Sequence, residues 1–521
     1  MARSSGRSSF FVAAGILLSR IAGLIRQRIF AHYLGLGEYN DVLTASFRIP
    51  NLLQNLFGEG VLSASFIPVY ARLLAKGEEQ EAGKVAGAVL GLLTFLVSLI
   101  VLGGVVGTPV VVDLLAPGFE GHKRQLTITL VRILFPATAL MVLSAWCLGV
   151  LNSHRKFFLS YAAPVVWNVT VIIGALWAGA TQNRSDLVVW IAWSAVLGSA
   201  LQVLVQLPSV VTVLKGFKLA VRTTTPEVRT VVRNFWPAFV SRGAAQISAY
   251  VDGVIASFLG QGPVAALGSA QLLYTLPVSL FGMAVSAAEL PAMSSVQGSD
   301  DERHRLLRQR LEDGMHRIAF FIVPCSVAFI LLGQVVAAAV FQTGQFTAEN
   351  SRYVWAILAG SAVGLLASTL SRLTSSAFYA LGDTRSPLRY ALVRVLLTTV
   401  LGFTAALVGP YLLNLDQRWG AVGLTATAGF AGWVEFALLR RRLRGIIGAA
   451  RFAPGYLVKL WGSALAAALL GYLARLAVAG NGPIVTAAAT FGAYGIVYGA
   501  LTLAMKVPAA QALYGSVRRR V

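Results

Sequence analysis

Apolar runs separated by short polar stretches recur along the whole chain. Each is close to the ~20 residues a helix needs to cross a ~30 Å hydrocarbon layer. About fourteen such runs stand near 10–33, 40–71, 85–112, 126–150, 158–180, 187–213, 235–259, 264–296, 318–341, 353–380, 391–413, 420–439, 457–479 and 484–505. Because backbone in lipid must satisfy its own polar groups, the pattern predicts an all-α polytopic membrane protein with about fourteen transmembrane helices. The second and eighth runs exceed one span and are expected to be tilted or broken.

Composition agrees with the pattern: of 521 residues 56% are hydrophobic and 12% charged. The formal net charge of +22 would suggest nucleic acid in a soluble chain. Here the basic residues collect in alternate loops, which removes nucleic acid as a partner and leaves membrane lipids. With Met1 inside, about 29 of 43 basic residues fall on the cytoplasmic side and about 5 outside (Lys123, Arg124, Arg184, Arg352, Arg418). Both termini are then cytoplasmic. Arg20 interrupts what would be a signal-peptide core, so the first run reads as an uncleaved helix. The Arg303–Arg317 run, with its interspersed acids, reads as an amphipathic helix on anionic headgroups. Cys147 and Cys325 offer no disulfide framework, and the five histidines form no metal spacing.

Charge inside the spans changes the picture most. Arg20, Arg26, Arg28 and Arg48 stand within thirty positions, with only Asp41 and Glu59 nearby to balance them. A cation in hydrocarbon costs a few kcal/mol even on lenient scales, so it faces a wet cavity or a partner. The group points to a cavity that receives an anion, with Arg28 equally well placed to snorkel to an interface. Asp252 is a lone acid midway along the seventh run, where a salt bridge or a hydrogen-bonded helix contact would account for it.

Comparing the chain with itself exposes a repeat. Ser19-Arg20 to Tyr33-Leu34-Gly35 is matched by Ser241-Arg242 to Phe258-Leu259-Gly260, and Leu56-Phe57-Gly58 by Leu280-Phe281-Gly282, at offsets of 222 to 225 residues. A period of six spans keeps both copies in one orientation, the parallel-repeat plan of transporters. The expected division is an N-lobe over 1–222, a C-lobe over 223–445 and a C-terminal helix pair over 446–521.

The stretch Ser19-Arg20-Ile21-Ala22-Gly23-Leu24-Ile25-Arg26, then Asp41, Phe47-Arg48-Ile49-Pro50-Asn51-Leu52-Leu53, Phe57-Gly58-Glu59-Gly60 and Ser65-Phe66-Ile67-Pro68 resembles the start of the MurJ/MviN family. Gly149 to Phe157 and Phe378 to Pro387 resemble it further along. The resemblance implies a flippase of the MOP exporter superfamily in the bacterial cytoplasmic (inner) membrane. Its substrate would be lipid II, the undecaprenyl-diphosphate-linked precursor of peptidoglycan biosynthesis, moved by alternating access for the cell wall and cell shape. It implies substrate contacts at Arg20, Arg26, Arg48 and Asn51 and gating or orienting roles for Ser19, Asp41 and Glu59; Arg242 of the seventh run, matched to Arg20 by the repeat, is the candidate substrate contact from the C-lobe. Sodium coupling at Asp252, completed by Thr398 and Thr427 or their neighbours Thr399 and Thr425, is implied in the same way, as is a tail groove on the last two spans. A monomer and a lipid-linked anionic glycan precursor are the expected assembly and partner.

The chain departs from the family at Gln54-Asn55, where arginine is common, and at Ser269-Ala270-Gln271-Leu272, where an acid and an arginine usually precede the proline. Those losses keep open another polyprenyl-linked glycan as cargo and a non-transporting paralogue that scaffolds envelope assembly. A multidrug or cation-coupled exporter of the same superfamily is disfavoured, because cationic drugs need an acidic cavity and this N-lobe is net basic. No paired carboxylates, nucleophile and base or phosphate-cradling glycine loop argues for an enzyme.

Overall fold

The computed structural model describes the backbone of all residues except 1, 58, 220–224, 296–298, 479 and 519–521. Side chains are also left undescribed at 2–14, 16, 59–60, 157, 161, 238, 240–249, 287 and 516–518. Helices account for every named element: α1 (Ala2–Leu34), α2 (Glu38–Phe57), α3 (Glu59–Ser65), α4 (Ile67–Ala75), α5 (Glu79–Val106), α6 (Thr108–Leu115), α7 (Gly121–Ser153), α8 (Phe157–Thr181), α9 (Arg184–Val213) and α10 (Pro226–Ser257). There follow α11 (Pro263–Pro277), α12 (Ala284–Ser294), α13 (Asp300–Phe341), α14 (Ala348–Ala362), α15 (Leu365–Ala380), α16 (Arg385–Leu407), α17 (Gly409–Leu412), α18 (Gly420–Ile447), α19 (Tyr456–Ala477), α20 (Pro483–Ala504) and α21 (Pro508–Arg518).

Among the described residues ten spans have the length and apolar composition to cross a membrane, and the α14–α15 pair, bent by 41°, makes an eleventh. α1, the α2–α4 run and α10 complete the expected fourteen, and these three hold the ionisable candidates. The two long runs are broken, as their length predicts. α2 gives way to α3 and α4, and α11 passes through a π-helical stretch at Val278–Met283 directly after Pro277, whose missing N–H loosens the helical ladder.

Packing separates two compact units, Met1–Ala265 and Ala266–Val521. In the first, α1 packs on α8, α2 on α7, and α8 and α7 both on α9. After α9 the chain runs back along α5, where Gly83 and Gly87 make room. A β-carbon on them would fall 1.9 Å from the Lys215 carbonyl oxygen and 2.1 Å from that of Lys218. Lys215 also pairs with Glu79 at 2.6 Å.

In the second unit α13 is the long axis, packed by α14, α15 and the α19–α20 pair. The Arg303–Arg317 run is not a separate surface helix. It continues into the ninth span because Leu307, Leu311, Met315 and Ile318 extend one buried stripe and no breaker interrupts it before Pro324. Three tyrosines of the C-terminal pair donate to α13 carbonyls one turn apart: Tyr456 to His316 at 2.9 Å, Tyr498 to Phe320 at 2.7 Å and Tyr494 to Pro324 at 2.8 Å. Pro324 has no N–H, so the Phe320 carbonyl lacks its helical partner and Tyr498 supplies one.

Between α15 and α16, Asp383 accepts the Ser386 hydroxyl at 2.6 Å and the amides of Ser386 at 2.9 Å and Arg385 at 3.0 Å. The Ser386 side chain, then its amide, hold the carboxyl below the usual carboxylate range. A depressed pKa means the cap is complete at neutral pH and its contribution disappears only as pH falls through that lowered value. Asp383→Ala is expected to destabilise the protein by about 1 kcal/mol, read as a lower unfolding midpoint in detergent at neutral pH, with the difference from wild type closing in acid.

Candidate functional site

α1 runs unbroken through Gly23, so Arg20 and Arg26, six positions apart, project about 120° from each other. Arg20 is exposed, and among the described residues it has neither a hydrogen bond nor an ion pair. Ser19 beside it is half-buried.

Arg26 turns toward α8. Its Nη1 donates to Asn168 Oδ1 at 3.1 Å, and the guanidinium carbon lies 4.7 Å from the centre of the Trp167 ring and 5.8 Å from that of Phe30. Its Nε is shut off from the surroundings with no hydrogen-bond partner. Among the described residues no carboxylate pairs with this cation. Stacking on an aromatic face stabilises a guanidinium without neutralising it, so the charge stays available to an anion.

Arg48 leaves α2 in another direction and lodges against α10. A β-carbon at Gly253 would fall 1.4 Å from Arg48 Nη1, so only glycine admits the guanidinium there. The Tyr250 hydroxyl donates to the Arg48 carbonyl at 2.9 Å, and the guanidinium lies in the field of Tyr250, Asp252 and Asp41.

Asp41, at the start of α2, is fully buried and engages neither Arg20 nor Arg26 by hydrogen bond. It accepts Lys123 Nζ at 2.8 Å, the Gly262 amide at 2.7 Å and the Ala265 amide at 2.8 Å. Lys123 also donates to the Gly260 carbonyl at 3.0 Å and sits 4.0 Å from the Phe119 ring centre. One carboxylate thus ties the starts of α2 and α7 to the turn between α10 and α11.

Asn51 is exposed, and the side chains of Glu59 and Arg242 lie outside the described residues. Thr398 and Thr427 belong to the second unit, where Thr427 donates to the Gly423 and Leu424 carbonyls at 3.0 and 2.9 Å and lies beside Gly402 of α16. Thr399 donates to the Val395 carbonyl at 2.9 Å and Thr425 to the Ile357 carbonyl at 3.0 Å. Arg394 of α16 pairs with buried Glu435 of α18 at 3.2 Å, and Glu289 meets Arg317 at 3.3 Å. Among the described residues no three His, Cys, Asp or Glu side chains converge as a metal site would require.

Four contacts escaped the sequence: Lys123, Trp167, Asn168 and Tyr250. Asn168 carried a signal, since an amide in an apolar span needs a partner. Lys123 looked like an ordinary loop cation, and nothing local announces that it reaches a buried acid 82 positions away.

The architecture is that of a multi-helix membrane transporter. An inward-facing multidrug resistance MATE family transporter of the MOP superfamily superposes with a TM-score of 0.64 at 18% identity, covering 82% of this chain and 95% of its own. The solved lipid II flippase MurJ in its inward closed conformation does so with a TM-score of 0.76 at 20% identity, covering 95% and 99%. The family model described as lipid II flippase MurJ matches residues 30–494, and lipid II flippase MurJ of Burkholderia cenocepacia is 30% identical over 471 residues, 88% of either chain. The chain belongs to the MurJ lipid II flippase family, a family of transporters and not of enzymes.

Lys123→Ala leaves a buried carboxylate with two amides and no cation, and is expected to cost about 3 kcal/mol. A lowered unfolding midpoint in detergent, largely recovered in the Asp41→Asn/Lys123→Met double variant, is the measurement that checks it.

Proposed function

We propose that this protein moves lipid II across the bacterial cytoplasmic membrane by alternating access, acting as a monomer with both termini in the cytoplasm. The observation that carries the reading is Arg26: a guanidinium in a membrane helix, held by an amide and two aromatic rings and paired with no acid. A diphosphate is the ligand such a group suits, because guanidinium offers charge and parallel donors together. Exposed Arg20 supplies a second cation from the same helix, and Asn51 further donors to phosphate or sugar oxygens. Family membership gives the diphosphate its carrier, a polyprenyl-linked glycan, with the tail remaining in lipid beside α19 and α20.

The lobes that rock in this reading are those of the repeat, 1–222 and 223–445, with 446–521 attached to the second. Asp41 and Lys123 act as a latch on the α10–α11 turn, closing one face while the head group is bound from the other. Asp252 would be the main ligand of a coupling sodium ion, with Thr398 and Thr427 adding neutral oxygens, and the charge of Arg48 stands in competition for the same carboxylate.

In cells depleted of their own lipid II flippase, the wild-type gene is expected to support growth, whereas Arg20→Ala and Arg26→Ala are expected to fail at normal expression. Unimpaired growth of both variants would remove the arginine site. Transport by the purified protein in proteoliposomes excludes the scaffold alternative.

A further inference from the structure

The Arg26 side chain is held by groups that are themselves fixed. The Trp167 indole donates to the Ala195 carbonyl of α9 at 3.0 Å, and a β-carbon on Gly198 would fall 3.1 Å from its Cδ1, so the ring sits in a slot cut by that glycine. Phe47 of α2 meets Trp167 edge-on at 6.1 Å and stacks on Phe30 at 6.4 Å, so it braces the two rings that face the cation. Asn168 cannot turn its amide freely. Its Nδ2 donates to the Pro164 carbonyl at 2.9 Å, which leaves Oδ1 as the atom that faces Arg26. The guanidinium is therefore located by two rings and one amide, and Nη2 is not among the hydrogen-bonding atoms and is not shut off.

From this geometry we infer that Trp167 and Asn168 are positioning residues for the substrate diphosphate: they hold Arg26 over the indole face with Nη2 free to bind a phosphate oxygen, and Asn168 does so without cancelling its charge. The inference rests on the lipid II reading. Neutrality of the holder is its central element. A carboxylate at position 168 would hold Arg26 at least as firmly but neutralise it, whereas an amide orients the cation and leaves its field intact. Asn168→Asp thus separates holding from charge, which a purely structural role for Asn168 would not do.

The test uses the full-length protein in nanodiscs and two probes that share a tail, undecaprenyl diphosphate and undecaprenol. Wild type is expected to bind the diphosphate more tightly. Asn168→Asp should weaken the diphosphate about tenfold or more, leaving undecaprenol unchanged, and Trp167→Ala should do the same to a smaller extent while Trp167→Phe retains most of the preference. A folded Asn168→Asp variant that binds the diphosphate like wild type overturns the inference. Should that variant fail to fold, Asn168→Ala and Trp167→Ala decide: an undiminished diphosphate preference in both overturns it, and a selective loss in either supports it. If wild type carries no lipid II in proteoliposomes yet Asn168→Asp still loses the diphosphate selectively, the transport reading fails and the positioning roles stand. If wild type carries lipid II and Asn168→Asp carries it equally, the reverse holds.

Discussion

An ionised group removed from water must find its compensation in the protein. The effective penalty for an uncompensated charge is several kcal/mol, which exceeds almost any single packing contact. Asp41 shows how completely the first unit obeys that constraint. Its two oxygens receive a lysine ammonium and two backbone amides, and the elements that contribute them are far apart in sequence. The placement of the α10–α11 turn against α2 and α7 follows from the need to satisfy that one carboxylate.

The same constraint is met differently elsewhere in the chain. In the second unit Arg394 is closed by Glu435, and Glu289 by Arg317, so each cation has its acid. Arg26 has none, and is stabilised by induced and quadrupolar attraction plus one neutral acceptor. Arg48 lies between these cases, lodged in the gap of Gly253 within the field of Asp252 and Asp41. A graded series of neutralisation runs from closed pairs to an open cation, and in the function proposed above the open end is the one offered to the head group.

Much of this was legible in the sequence. Fourteen apolar runs, two of them overlong, translate directly into helices because hydrocarbon tolerates little else. The arginines of α1 and α2 stood out because their cost in lipid demands an explanation, and the family resemblance named their surroundings. What could not be read was partnership. Whether Asp41 meets Arg20 or Lys123, and which acid meets Arg394, depends on which helices pack together, and hydropathy is blind to that. The continuity of α13 was hidden for a related reason: the amphipathic charged stretch is helical as expected, but only the structure shows its buried stripe joining the one that follows.

The tyrosine hydroxyls on α13 bear on how the C-terminal helix pair can move. Their acceptors, His316, Phe320 and Pro324, are spaced by four residues along one ridge. A slide of the pair by a fraction of a turn would break all three bonds together inside an apolar environment, and the next position of comparable fit lies a whole turn, ~5.4 Å, away. The contact behaves as a detent. α19 and α20 are indexed to α13, so the pair and the long helix shift as one piece or not at all.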